Sequence, residues 1–101
     1  MSFKAAFVFI CPGNDPAKHR TTIDAPEITL SVVGVKSYDE ADKVVAELLD
    51  EGVTAFELCA GFGAEGVARI NKVVGDKAAV GVVRFDIHPG LDFKSGDKFF
   101  G

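Results

Sequence analysis

The chain has 101 residues, 48% of them hydrophobic, and a formal net charge of −4. That length bounds it to one domain over residues 1–101, and an acidic balance with no basic run longer than Lys18-His19-Arg20 argues against a nucleic-acid partner. A mean hydropathy of +0.21 is high for so small a chain. Too little interior is available to hide that much apolar surface, which predicts a homo-oligomer, a dimer or larger.

Residues 5–11 are apolar, but they end in Pro12-Gly13 rather than at a cleavage site, so no secretory signal is read there. No stretch approaches the ~20 apolar residues of a membrane helix. The expectation is a cytoplasmic protein without a membrane partner, in which Cys11 and Cys59 remain thiols.

Residues 3–11 form an apolar run rich in Phe and Val, which suits a central strand covered on both faces. Residues 12–26 are polar and punctuated by proline. Asp15-Pro16 reads there as an N-cap with proline in the first helical position, predicting a short helix that carries Lys18, His19 and Arg20. Residues 28–35 are a second strand, supplied with β-branched Val32, Val33 and Val35. Ser37 and Glu40 then form a capping box, Ala41, Val44, Val45, Leu48 and Leu49 line one helical face, and Gly52 ends the helix. A third strand over residues 53–59, a helix over 64–74 closed by Gly75, and a fourth strand over 79–85 follow. The tail ends in Phe99-Phe100-Gly101, aromatics that need the body or a neighbouring subunit to dock on. Strands alternating with helices predict a four-stranded, mainly parallel α/β sheet in β-α-β-α-β-α-β order, and half of a (βα)8 barrel shares that order.

Parallel strands would bring three segments to one sheet edge: Cys11-Pro12-Gly13, residues 59–66 and residues 84–90. Gly61-Phe62-Gly63-Ala64-Glu65-Gly66 matches G-x-G-x-x-G between a strand and a helix. A dinucleotide needs more chain than this, so two readings remain: tight-turn geometry, or backbone N–H donors for a small anion. Glu57 shares strand parity with Ala55 and Cys59 and sits between Phe56 and Leu58, where a lone carboxylate is costly to bury. Arg84 is equally out of place in the next strand. The two read either as a structural ion pair or as a working pair, with Arg84 clamping a substrate carboxylate or phosphate and Glu57 acting as base.

Asp86 and His88 share the loop after the fourth strand, where the carboxylate would fix the imidazole tautomer. His19 and Arg20 lie at the same edge. Cys59 reads as a small buried hydrophobe or as a thiolate activated by a helix N-terminus. The Cys and His spacings do not follow metal-ligand patterns, so neither a metal nor a cofactor is expected.

The segments Pro12-Gly13-Asn14-Asp15-Pro16 with His19-Arg20, Glu57-Leu58-Cys59-Ala60-Gly61-Phe62-Gly63 with Gly66-Val67-Ala68-Arg69-Ile70, and Val83-Arg84-Phe85-Asp86 with His88-Pro89-Gly90 occur together. In these the chain resembles a family of short proteins classed as a domain of unknown function, over nearly its whole length. The resemblance implies a complete protein of this size and brings no activity, cofactor or catalytic residue. Two functions therefore stand. One is a binding or catalytic site for a small anionic metabolite at the C-terminal sheet edge, with Gly61, Phe62, Gly63, Cys59, Arg20, Arg84 and Asp86 binding and Glu57, His19 or His88 moving protons. The other is a non-enzymatic oligomeric interaction module.

Overall fold

The computed structural model describes residues 3–101. Strand β1 (Phe3–Ile10) pairs in parallel with β3 (Ile28–Val35) on one side and with β4 (Ala55–Leu58) on the other. β5 (Ala79–Val82) continues the parallel set beyond β4, and β2 (Arg20–Asp24) closes the opposite edge antiparallel to β3. The sheet order is β2-β3-β1-β4-β5. Helices α1 (Tyr38–Asp50) and α2 (Ala64–Val74) form the crossovers, and a short α3 (Asp97–Phe100) ends the chain.

The α/β class is as expected, but the sheet has five strands rather than four. The expected short helix after β1 is a turn: Asp15 Oδ1 accepts the Ala17 N–H at 2.9 Å, and the Asp15 carbonyl takes those of Lys18 and His19. Thr21, Thr22 and Ile23 are β-branched and zip onto β3 instead. Pro26 lies in the turn of this hairpin, where the Ala25 N–H reaches the Ile28 carbonyl. The half-barrel is excluded because the parallel strands are not in sequential order and the sheet stays open at β2 and β5.

Local chemistry builds α1 much as its sequence reads. Ser37 Oγ accepts the Glu40 N–H at 3.1 Å. The Glu40 carboxylate reaches back to the Lys36 N–H rather than to the N-cap residue. At the far end Gly52, at φ +99°, takes the left-handed conformation that ends a helix most cheaply.

Both crossovers, β3-α1-β4 and β4-α2-β5, step across the sheet in the same direction. Right-handed connections then put both helices on one face. Val8, Val33, Val35, Phe56 and Leu58 on that face pack with Val45, Leu48, Ile70 and Val74 into one core, each 1% exposed or less. Alternation sends Phe3, Ala5, Phe7 and Phe9 of β1 to the other face, together with their register partners Ile28, Leu30, Val32 and Gly34 of β3. None of these belongs to the core cluster. The expectation of a first strand covered on both faces is thus corrected: helices cover one face, and the other is open.

Candidate functional site

At the C-terminal edge of the sheet, the glycines after β4 serve close packing. A side chain at Gly61 would strike Ile10 Cγ2 at 2.7 Å, and one at Gly66 would strike the Tyr38 ring at 2.5 Å. Gly63 leaves room for Ser95 and Asp97, which arrive from the tail. Phe62 stacks on Tyr38 with centroids 5.7 Å apart.

The start of α2 is an anion site in form, and the chain fills it with its own carboxylate. Asp97 Oδ2 accepts the Glu65 N–H at 3.1 Å, and Oδ1 accepts the Gly66 N–H at 3.2 Å and the Tyr38 hydroxyl at 2.7 Å. The Tyr38 oxygen in turn accepts the Gly63 N–H at 2.9 Å. Burial, reinforced by the bond to Asp97, pushes the Tyr38 hydroxyl well above its ordinary range. Burial also acts to raise Asp97, but the hydrogen bonds from Tyr38, Glu65, Gly66 and Ser95 outweigh it and hold the carboxyl below its usual value. The donors expected to meet a ligand anion are therefore satisfied from within.

Beside this cluster lies a cavity of about 440 Å³ between α2 and the segment after β5. Phe62, Gly63, Arg84 and Asp86 of the expected binding set line it, with Val67, Val82, Phe85, Ser95 and Asp97. Arg84 Nε donates to Asp86 Oδ1 at 2.8 Å, with both side chains about four-fifths exposed. A pair so solvated holds little energy. One arginine faces two carboxylates here, Asp86 and Asp97, which does not favour an anion.

The remaining candidates lie elsewhere. β5 ends at Val82, so Arg84 falls outside the sheet and the expected Glu57–Arg84 pair does not form. Glu57 is exposed on the open face, level with Phe7 and Gly81. His19 Nδ1 accepts the Asp15 N–H at 2.8 Å, and His88 Nδ1 accepts the Gly90 N–H at 2.9 Å. The Asp86–His88 tautomer pair is replaced by Arg84–Asp86, and His88 packs on Phe85 instead. Arg20 lines a groove on the helix side with Glu40 and Glu47. Cys59 is not at a helix start. Its Sγ sits 3.3 Å from the Ile10 and Gly61 nitrogens, whose N–H groups it accepts.

Among the described residues, no group of three or more His, Cys, Asp or Glu side chains could hold a metal. No helix among them is long and apolar enough to cross a membrane. Sequence reasoning missed Tyr38, Ser95 and Asp97. It also missed Arg69, which binds Asp39 and Asp42 at 2.6 and 2.7 Å and joins α2 to α1.

Fold and edge together define a two-layer α/β protein with one bare sheet face and a tail that seals its own helix start. The profile of a family of unknown function, DUF6506, matches residues 3–98. The chain belongs to that family. Searches of curated proteins and of solved structures each returned no match.

Proposed function

We propose that the chain is a non-enzymatic interaction module whose working surface is the open face of its sheet. The observation that carries this reading is the make-up of that face. Phe3, Phe7, Phe9, Ile28, Leu30 and Val32 stand on it with no helix over them, and Phe3 is 48% exposed. Contiguous apolar surface of this kind marks a place where another molecule sits. The acid–base candidates support the same reading by their dispersal. Glu57 lies on the open face, His19 on the loop before β2, and His88 on the loop after β5.

Differential labelling tests it. Thr21→Cys places a thiol on the open face and Lys72→Cys one on exposed α2, both in a Cys11→Ser/Cys59→Ser background. In undiluted lysate the reading predicts that maleimide modifies Thr21→Cys more slowly than Lys72→Cys, and that dilution abolishes the difference. Equal rates throughout contradict it. The cavity beside Arg84 supports a second reading, a small-molecule site, because its ~440 Å³ falls in the range of such sites. A thermal shift by any metabolite that is lost in Arg84→Ala would favour that reading.

A further inference from the structure

We propose that the occupant of the open face is a second copy of this chain, packed sheet on sheet about a two-fold axis that runs along the strands between β1 and β3. The proposal rests on the interaction-module reading and names its partner.

Area supports it. The chain exposes 5998 Å², about 500 Å² more than the ~5,500 Å² of a typical folded monomer of 10.7 kDa. Val82, Val83, Phe85, Ile87, Phe93 and Phe99 contribute the larger part of the exposed hydrophobic side chains, and the open face contributes Phe3 and Ile23. Five strands about 4.8 Å apart, the longest of eight residues, give the face a footprint of ~500 Å². With side-chain relief this approaches the ~800 Å² each partner of a standard interface buries.

Charge narrows the partner. By register, the strand positions on this face are Thr21 and Ile23 of β2, Ile28, Leu30, Val32 and Gly34 of β3, and Phe3, Ala5, Phe7 and Phe9 of β1. β4 adds Ala55 and Glu57, and β5 adds Ala79 and Gly81. One ionisable group among them offers nothing to a strongly acidic or basic partner. A copy of the same nearly uncharged face is matched to it.

Glu57 also fixes the orientation. The bulk lies on one side, in β1, β3 and β2, whereas β4 and β5 present small residues and the carboxylate. An axis running across the strands would lay β4 on its own copy and set two carboxylates against each other, an unfavourable contact. An axis along the strands, placed between β1 and β3, instead lays β1 over the other copy's β3 and β4 over its β2. Phe7, Val32, Thr21 and Glu57 lie on one level of the sheet, and this rotation preserves level. Phe7 then packs on the second copy's Val32, and Glu57 meets the second copy's Thr21, whose hydroxyl can donate to it. Two such polar contacts flank an apolar centre, the arrangement of an isologous interface.

The experiment uses the purified full chain in the Cys11→Ser/Cys59→Ser background. Facing sheets pack ~10 Å apart, so a bis-maleimide of about that span should link Thr21→Cys/Glu57→Cys protomers in pairs and leave each single variant unlinked. Phe3→Ser/Ile23→Thr, at positions exposed in the protomer, should keep the fold and weaken association by ~30-fold or more on size exclusion. Linking by either single variant, or a dimer unaffected by Phe3→Ser/Ile23→Thr, overturns the axis or the face. A purified chain that stays monomeric at about 100 µM overturns the second copy. If Thr21→Cys is nonetheless protected in lysate, the interaction reading survives with another protein as partner, and without that protection both fail.

Discussion

The two faces of the sheet are built from the same three strands by strict alternation, yet they differ in what completes them. On the helix face Val8, Val33 and Leu58 are fully buried under α1 and α2. On the open face their sequence neighbours Phe7, Phe9 and Val32 are larger on average, and they stay half-buried with no helix over them. The comparison teaches that apolar content alone does not say where burial comes from. One face is completed by its own chain, and in the proposed dimer a second copy completes the other.

The most severe break of the contrast comes from truncating one side chain on each face. Phe56→Ala, at a site 1% exposed, should cost about 3–5 kcal/mol, much of the stability of a domain this size. Phe7→Ala should cost the isolated protomer far less and act on association instead. Urea unfolding at low and high protein concentration separates the two effects, because only the Phe7 variant should lose the concentration dependence of its midpoint.

The tail should respond next. Gly66→Ala forces a methyl group against the Tyr38 ring and should cost about 1–3 kcal/mol by overpacking. Asp97→Asn removes the charged acceptor of the Tyr38, Glu65 and Gly66 bonds and should cost about 1–3 kcal/mol. Asp97 titrates below its unfolded value, so its contribution is fully present above the ordinary carboxylate range near pH 4 and is lost as pH falls through the depressed folded value. Tyr38 is the chain's one tyrosine and there is no tryptophan. Its fluorescence therefore reports tail docking directly, and its phenol should ionise only at a higher pH than that of a free tyrosine, as absorbance titration would read. The smallest effect belongs to Arg84→Ala. With an exposed partner, it should change stability by less than about 0.5 kcal/mol in thermal unfolding.

What could be read from the sequence was what is local. The N-cap Ser37, the spacing from Ala41 to Leu48 and the stop at Gly52 lie within one element, and α1 follows from them. β2 was not legible, because Arg20-Thr21-Thr22-Ile23-Asp24 has a single strong hydrophobe and gains its strand state from pairing with β3. The apolar run before Arg84 and His88 reads as a strand to Phe85, whereas β5 stops at Val82. The glycines of residues 61–66 make a turn at the helix start legible. The partner of its N–H groups is not, since Asp97 lies more than thirty residues away and no local signal ties a tail carboxylate to a distant helix start. Hydropathy carries an excess of apolar surface but not its location: the open face depends on both crossovers having one hand, and Phe85, Ile87 and Phe93 lie outside it.

Sedimentation equilibrium of the wild-type chain over a dilution series decides whether the open face pairs with a second copy. The expected mass is twice the 10.7 kDa protomer at high concentration, falling toward 10.7 kDa on dilution, with the Phe3→Ser/Ile23→Thr variant at the protomer mass across most of the series. A wild-type chain at 10.7 kDa throughout, or a dimer that this variant leaves unchanged, would contradict that pairing.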